Sequence, residues 1–258
     1  MSGAAIGLRG INARYEGAEQ LAVDDVNLTV APGEFIALVG PSGSGKSTLL
    51  RTVNRLVPIE RGRIELDGVD TATLDPVMMR RGIGYAIQAV GLFAHMDVAA
   101  NIAIVPSLLG WDRARITARV DEMLELVRLD PAQYRNRRPS ELSGGEAQRV
   151  GVARALAASP RALLMDEPFG ALDAIVRHVL QRELPEIVRS AGTTTLFVTH
   201  DVNESLLLAD RIAVMRGGRI EQCASPLEVL AHPANDYVRE LFAADDEVAR
   251  IREQAQKL

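Results

Sequence analysis

Cysteine is almost missing from this 258-residue sequence: Cys223 is the only one. A single thiol cannot build a disulfide framework or a cysteine-ligated metal site, and it fits a reducing compartment. Long apolar runs are missing too. The nearest approach to a membrane span, Val98 to Leu109, is too short and carries Asn101, Pro106 and Ser107. The N-terminus has no basic segment leading into an apolar core, so no signal peptide is expected. There is no internal repeat and no low-complexity stretch. Basic blocks are absent, and Lys plus Arg (29) fall below Asp plus Glu (34) for a net charge of −5, so nucleic acid is not expected as a partner. Lysine is nearly absent as well, with Lys46 and Lys257 set against 27 arginines.

What is present is ordinary globular material, 47% apolar and 24% charged, in a chain long enough to bury a large core. Val26, Leu28 and Val30 alternate with polar residues as a half-buried strand does. After the turn Ala31-Pro32-Gly33, Phe35 to Val39 is continuously apolar, as in a strand covered on both faces. A helix is expected from Ser47 to Val57, and a short strand from Arg63 to Leu66 closed by Asp67-Gly68. The stretch from about Ala89 to Ala158 reads mostly as helix, with Asp112 as N-cap of a helix to Val127 that Asp130-Pro131 ends. Further strands are expected at Ile83 to Ile87, Leu163 to Met165, Thr194 to Thr199 and Arg211 to Met215. Helices are expected over Val150 to Ala158, Ala171 to Arg189 and Val202 to Ala209. The pattern is an α/β sheet interrupted by a helical insertion, followed from Asp245 by a charged tail.

Gly40-Pro41-Ser42-Gly43-Ser44-Gly45-Lys46-Ser47 fits G-x-x-x-x-G-K-[ST] between an apolar strand and a helix. Glycines let backbone N–H groups turn inward as an anion nest, and the helix start adds partial positive charge. Lys46 suits the β- and γ-phosphates of a nucleotide, and the Ser47 hydroxyl suits Mg²⁺. A chain that otherwise uses arginine keeps lysine where a compact charge must fit inside a closed loop. The other reading of this segment is a plain flexible turn.

Leu163-Leu164-Met165-Asp166-Glu167 is an apolar strand ending in two carboxylates. Alternation along the strand would point them in different directions. Asp166 would then face Mg²⁺, and Glu167 an attacking water as its polarising base. Leu142-Ser143-Gly144-Gly145-Glu146 offers N–H groups at a second helix start, a second anion site.

Two phosphate-binding helix starts separated by an insertion resemble the ATP-binding cassette (ABC) ATPases, over nearly the whole chain. Glu146 stands where that family's signature, LSGGQ, has glutamine. The resemblance implies a P-loop NTPase (RecA-like) core sheet with N-terminal antiparallel strands and a helical insertion subdomain. In domain terms this is an ATPase domain over 1–245, with core 1–88 and 159–245, signature subdomain 89–158 and tail 246–258. It implies ATP and Mg²⁺ as cofactors. It places Tyr15 against adenine, the loop through Thr48 on the phosphates, and Gln88 near Mg²⁺ and the attacking water. His200 becomes the switch residue at the γ-phosphate, Glu167 the hydrolytic base, and Asp173 part of a loop crossing between partners. His95, His178 and His232 have no such setting. In the family ATP lies in a head-to-tail dimer, between Lys46 of one copy and Ser143-Gly144-Gly145 plus Glu146 of the other.

The resemblance further implies a peripheral subunit on the cytoplasmic face of the membrane. It would dock on permease subunits through the segment from Ala89 to Met96, with apolar Val90, Leu92 and Phe93, and act indirectly with an extracellular or periplasmic solute-binding protein. Arg80 to Gln88, Gly91 to Met96, Asn101 to Pro106, Leu108 to Trp111 and Val53-Asn54-Arg55-Leu56 are similar to importers of quaternary-amine osmoprotectants: glycine betaine, choline, carnitine or proline. Many of those importers continue into a paired regulatory (CBS) domain, which is not expected in this chain. The alternatives are an ATPase for another cargo or for export, and a non-transport nucleotide-binding module.

Overall fold

The computed structural model describes residues 3–87, 91–170 and 172–243; Gln88, Ala89, Val90, Ala171 and the tail lie outside the described residues. In chain order the strands are β1 (Ile6–Ala13), β2 (Val23–Val30), β3 (Phe35–Val39), β4 (Arg61–Leu66), β5 (Val69–Asp70), β6 (Ile83–Ala86), β7 (Ala162–Asp166), β8 (Thr194–Thr199), β9 (Arg211–Arg216) and β10 (Arg219–Ala224). The helices are α1 (Lys46–Val53), α2 (Pro76–Arg81), α3 (Val98–Leu108), α4 (Arg113–Leu126), α5 (Pro131–Tyr134), α6 (Gly144–Leu156), α7 (Ala174–Ala191), α8 (Val202–Leu208), α9 (Pro226–Ala231) and α10 (Asp236–Leu241). Among the described residues they form two compact units: 4–74 with 194–243, and 3 with 75–193.

The first unit carries an antiparallel sheet ordered β2-β1-β4-β5. In β2 every residue from Val26 to Val30 alternates between buried and exposed, the expected half-buried pattern. β1 pairs with it through irregular register, Ile6 facing Val30 and Ile11 facing Val26. The β4–β5 hairpin turns on Asp67 (φ 52°) and Gly68 (φ 76°), two left-handed residues that match the strand twist. In the same unit β3 lies between β8 and β9, parallel to both, with β10 antiparallel on the outer side of β9. All five residues of β3 are buried, so its continuous apolar run records cover on both faces.

Helix α1 stops at Val53, four residues short of the sequence expectation. Arg55 takes φ 50°, the Arg55 N–H donates to Thr52 O (2.9 Å), and the Leu56 N–H donates to Arg51 O (2.9 Å). This is a Schellman stop with arginine where glycine usually marks it, so the sequence carried no signal. The Arg55 guanidinium donates to the carbonyls of Thr71 and Leu74, both at 3.0 Å.

The second unit packs helices with the parallel pair β6–β7, Ile83 facing Ala162 and Ala86 facing Met165. Asp112 caps α4 by accepting from Arg115 N (2.8 Å), as expected. Asp130-Pro131 does not end that helix: α4 ends at Leu126, Arg128 turns the chain at φ 59°, and Asp130 caps the one-turn α5. The last carbonyls of α6 are met by Arg119 of α4, whose Nε donates to Ala157 O (2.9 Å) and Nη2 to Leu156 O (3.0 Å). A cation there also complements the helix dipole.

Candidate functional site

The phosphate-loop segment hangs between β3 and α1 in the first unit, and its glycines are fixed by more than flexibility. Gly40 has φ 154°, and a Cβ there would lie 2.2 Å from the Met215 carbonyl oxygen. Gly45 has φ 98°, and a Cβ would lie 2.2 Å from the Ala22 carbonyl oxygen. The loop is therefore wedged between backbone on two sides, with Gly218 N donating to Ser44 O (3.1 Å). Pro41, Ser42 and Gly43 form its exposed tip, whereas Ser44 and Gly45 are buried.

Lys46, only 5% exposed, folds its ammonium into this loop. Nζ donates to Gly40 O (2.8 Å) and Pro41 O (2.9 Å) and lies 3.5 Å from Ser44 Oγ. A compact charge with three donors satisfies this geometry; a planar guanidinium does not. Ser47 is half-buried and Thr48 buried, and the Thr48 hydroxyl lies 3.0 Å from the Tyr15 hydroxyl. The Tyr15 ring, 46% exposed, is thereby tied to the helix that carries the loop.

His200 is exposed directly after β8. Its neighbours are tightly braced. Thr199 Oγ1 donates to the buried carboxylate of Glu204 and accepts from Asp201 N (2.9 Å), while Asp201 caps α8 by accepting from Asn203 N (2.8 Å). Sequence reasoning missed Thr199 and Glu204, because a threonine and a glutamate five residues apart look like strand and solvent residues.

In the second unit β7 delivers Asp166, 2% exposed, at its end. Glu167 differs from the sequence expectation in cause. The strand stops at Asp166, and Glu167 turns away by adopting φ 46°, not by strand alternation. A non-glycine residue held in that region costs on the order of 1–3 kcal/mol and persists only where its surroundings fix it.

Helix α6 begins at Gly144, six residues earlier than Val150. Ser143 is its N-cap: Ser143 Oγ accepts from Glu146 N (3.3 Å), and Glu146 Oε2 accepts from Ser143 N (2.7 Å), a reciprocal capping box. Glu146 Oε1 accepts from the Tyr134 hydroxyl of α5. That bond, with burial, raises the Tyr134 hydroxyl above the usual phenol range. The same bond, helped by the Ser143 N–H, holds the Glu146 carboxyl below the usual carboxylate range. Gly145 has a packing reason to be glycine, since a Cβ there would lie 2.2 Å from Val176 Cγ1 on α7, whereas Gly144 has room. Helix α7 starts at Ala174, not Ala171, because Asp173 caps it by accepting from Ile175 N (3.1 Å) and Val176 N (3.0 Å).

Beyond Val90, Leu92 is half-buried and Phe93 exposed. Buried Asn101 clamps that turn, accepting from Phe93 N (2.8 Å) and donating to Phe93 O (3.2 Å) and Asp97 O (2.9 Å). Arg154 of α6 donates to Gly91 O (2.6 Å). Among the described residues no group of three His, Cys, Asp or Glu side chains could hold a metal ion, and no helix is long and apolar enough to cross a membrane.

A glycine loop running from a fully buried parallel strand into a helix defines a P-loop α/β NTPase fold. The family described as "ABC transporter" matches residues 23–170. The osmoprotectant import ATP-binding protein OsmV of Salmonella typhimurium is 50% identical over 230 residues, covering 89% of this chain and 60% of that protein. The glycine betaine/carnitine/choline transport ATP-binding protein OpuCA of Bacillus subtilis is 47% identical over 238 residues, covering 92% of this chain and 62% of that protein. The chain thus spans about three-fifths of the length of these relatives. An ATP-binding cassette solved as a dimer in a post-hydrolysis state with ADP and Pi superposes with a TM-score of 0.75 at 31% identity, over 86% of this chain and 98% of that one. The chain belongs to the ABC transporter ATP-binding family.

Proposed function

We propose that this chain is the ATP-hydrolysing subunit of an ABC importer for a small solute of the quaternary-amine class, such as glycine betaine, choline or carnitine. One observation carries the nucleotide reading: the Gly40–Ser47 loop is wedged so that Lys46 lies inside it, while a second, separately capped helix start presents Ser143 and Gly144. The importer class rests on the relatives, named for osmoprotectant, glycine betaine, carnitine and choline transport.

In this reading the loop N–H groups and Lys46 bind the phosphates, Tyr15 stacks on adenine, and His200 meets the γ-phosphate. Glu167 takes the proton as water attacks the γ-phosphorus. The bond to the β-phosphate oxygen breaks, and ADP and inorganic phosphate leave. The Ser47 hydroxyl and Asp166 carboxylate are hard oxygen donors of the kind Mg²⁺ takes, and one carboxylate beside nucleotide phosphates suffices for that ion. With Gln88, they are the residues that would hold it; bound there, it neutralises phosphate charge. In a head-to-tail pair of copies, the turn Ser143-Gly144-Gly145-Glu146 closes over the partner's nucleotide with Ser143 and Gly144 foremost, and Asp173 lies on the loop that crosses. The pair works at the cytoplasmic face of the membrane on permease subunits, which receive the segment around Phe93, and a solute-binding protein supplies the cargo.

Glu167→Gln removes the base and leaves binding intact, so with saturating ATP and Mg²⁺ it should sediment as a dimer, and adding Lys46→Ala should return it to monomer. A Glu167→Gln chain that stays monomeric refutes the reading. Uptake of labelled glycine betaine, choline and carnitine by cells with and without the chain tests the cargo.

A further inference from the structure

Glu146 joins two elements with one side chain. Oε2 holds the N–H of Ser143 at the start of α6, and Oε1 holds the hydroxyl of Tyr134 on α5. The Arg137 guanidinium covers the Tyr134 ring at 4.3 Å. Ser143 and Gly144 are exposed, and Glu146 is half-buried behind them. This arrangement answers an electrostatic difficulty. A carboxylate in the first turn would repel a phosphate brought to Ser143 by another copy, unless its charge is drawn elsewhere. Both of its oxygens accept from donors on this chain, and a cation stands over the phenol.

We propose that Tyr134 is a positioning residue for the nucleotide-dependent pairing of two copies: its hydroxyl holds the Glu146 carboxylate back so that Ser143 and Gly144 can receive the γ-phosphate bound by the other copy. This rests on the function proposed above and adds a residue outside every motif of the sequence. Tyr134 touches neither nucleotide nor water in this scheme and acts only through Glu146. Removing its hydroxyl leaves one carboxylate oxygen unpaired and free to turn toward the approaching phosphate. Glutamine at 146 carries no charge, so the loss of Tyr134's hydroxyl would then matter little.

The test uses the full chain with Glu167→Gln and measures dimer formation by sedimentation across an ATP series with Mg²⁺. Tyr134→Phe should raise the ATP concentration for half-maximal dimer by roughly five- to tenfold, on the scale of the net worth of one hydrogen bond. Binding of a fluorescent ATP analogue to the single copy should shift by less than twofold. Adding Glu146→Gln to Tyr134→Phe should bring the dimerisation midpoint back to within twofold of the parent. A purely structural role for Tyr134 would lower the melting temperature and leave the double variant unrescued. The proposal is overturned if Tyr134→Phe dimerises at the parent's ATP concentration, or if Glu146→Gln fails to rescue it. Failure of the Glu167→Gln parent itself to dimerise refutes the proposed function, and this inference falls with it.

Discussion

The phosphate loop and the signature turn both open helices, yet they are held in opposite ways. The loop is wired through backbone: Gly40 and Gly45 fit against the carbonyls of Met215 and Ala22, Lys46 donates to the loop's own carbonyls, and α1 has no side-chain cap. The turn is wired through side chains: Ser143 and Glu146 cap each other, and Tyr134 anchors Glu146 from twelve residues away. A backbone-wired site tolerates almost no substitution at its glycines. A side-chain-wired site can be loosened in steps, one hydrogen bond at a time, and so can be tuned without unfolding.

That contrast can be broken most forcefully at Gly45. Gly45→Ala must hold φ 98° with a carbonyl oxygen 2.2 Å from the new Cβ, so the loop has to shift. It should cost about 3 kcal/mol of stability in urea denaturation and weaken nucleotide binding by roughly 100-fold. An alanine variant that binds ATP like the parent would show the loop is not wedged. At the turn, Ser143→Ala removes a helix cap and should cost about 1 kcal/mol, read by the same denaturation, with a clear loss of ATP-driven dimerisation. Equal losses at the two sites would erase the distinction. The smallest effect is on pH. The Tyr134 and Ser143 hydrogen bonds lower the Glu146 carboxyl in the folded state. Their contribution is therefore complete above the ordinary carboxylate range, near pH 4.3, and is lost as pH falls through it toward the lowered folded value. The stability gap between parent and Glu146→Gln should narrow from pH 7 to pH 3.5; a gap independent of pH would show that the charge is not held.

The same contrast explains what could be read from the sequence. The phosphate loop was legible because its geometry demands glycine and lysine at fixed offsets, and β3 because cover on both faces requires an unbroken apolar run. The Tyr134–Glu146 contact was not legible, since nothing in Arg135-Asn136-Arg137-Arg138 marks the preceding tyrosine as a partner for a residue on the next long helix. Helix ends failed where an unusual residue did the stopping or starting. Arg55 closes α1 in a left-handed conformation that sequence assigns to glycine. The helix start expected at Ser143-Gly144-Gly145 is where α6 opens, but the regular helix was expected only from Val150 because glycine argues against helix. Gly145 itself reads as an anion contact, but its approach to Val176 depends on where α7 lies, which no local pattern encodes.

The scarcity of lysine has a practical side. The chain has only two side-chain amines, one enclosed by the phosphate loop and the other next to last in the sequence. An amine-directed label therefore yields only a few modified peptides, and the one containing Lys46 reports on access to the loop. Protection of that peptide by a bound ligand can be followed by mass spectrometry without adding a foreign probe to the chain.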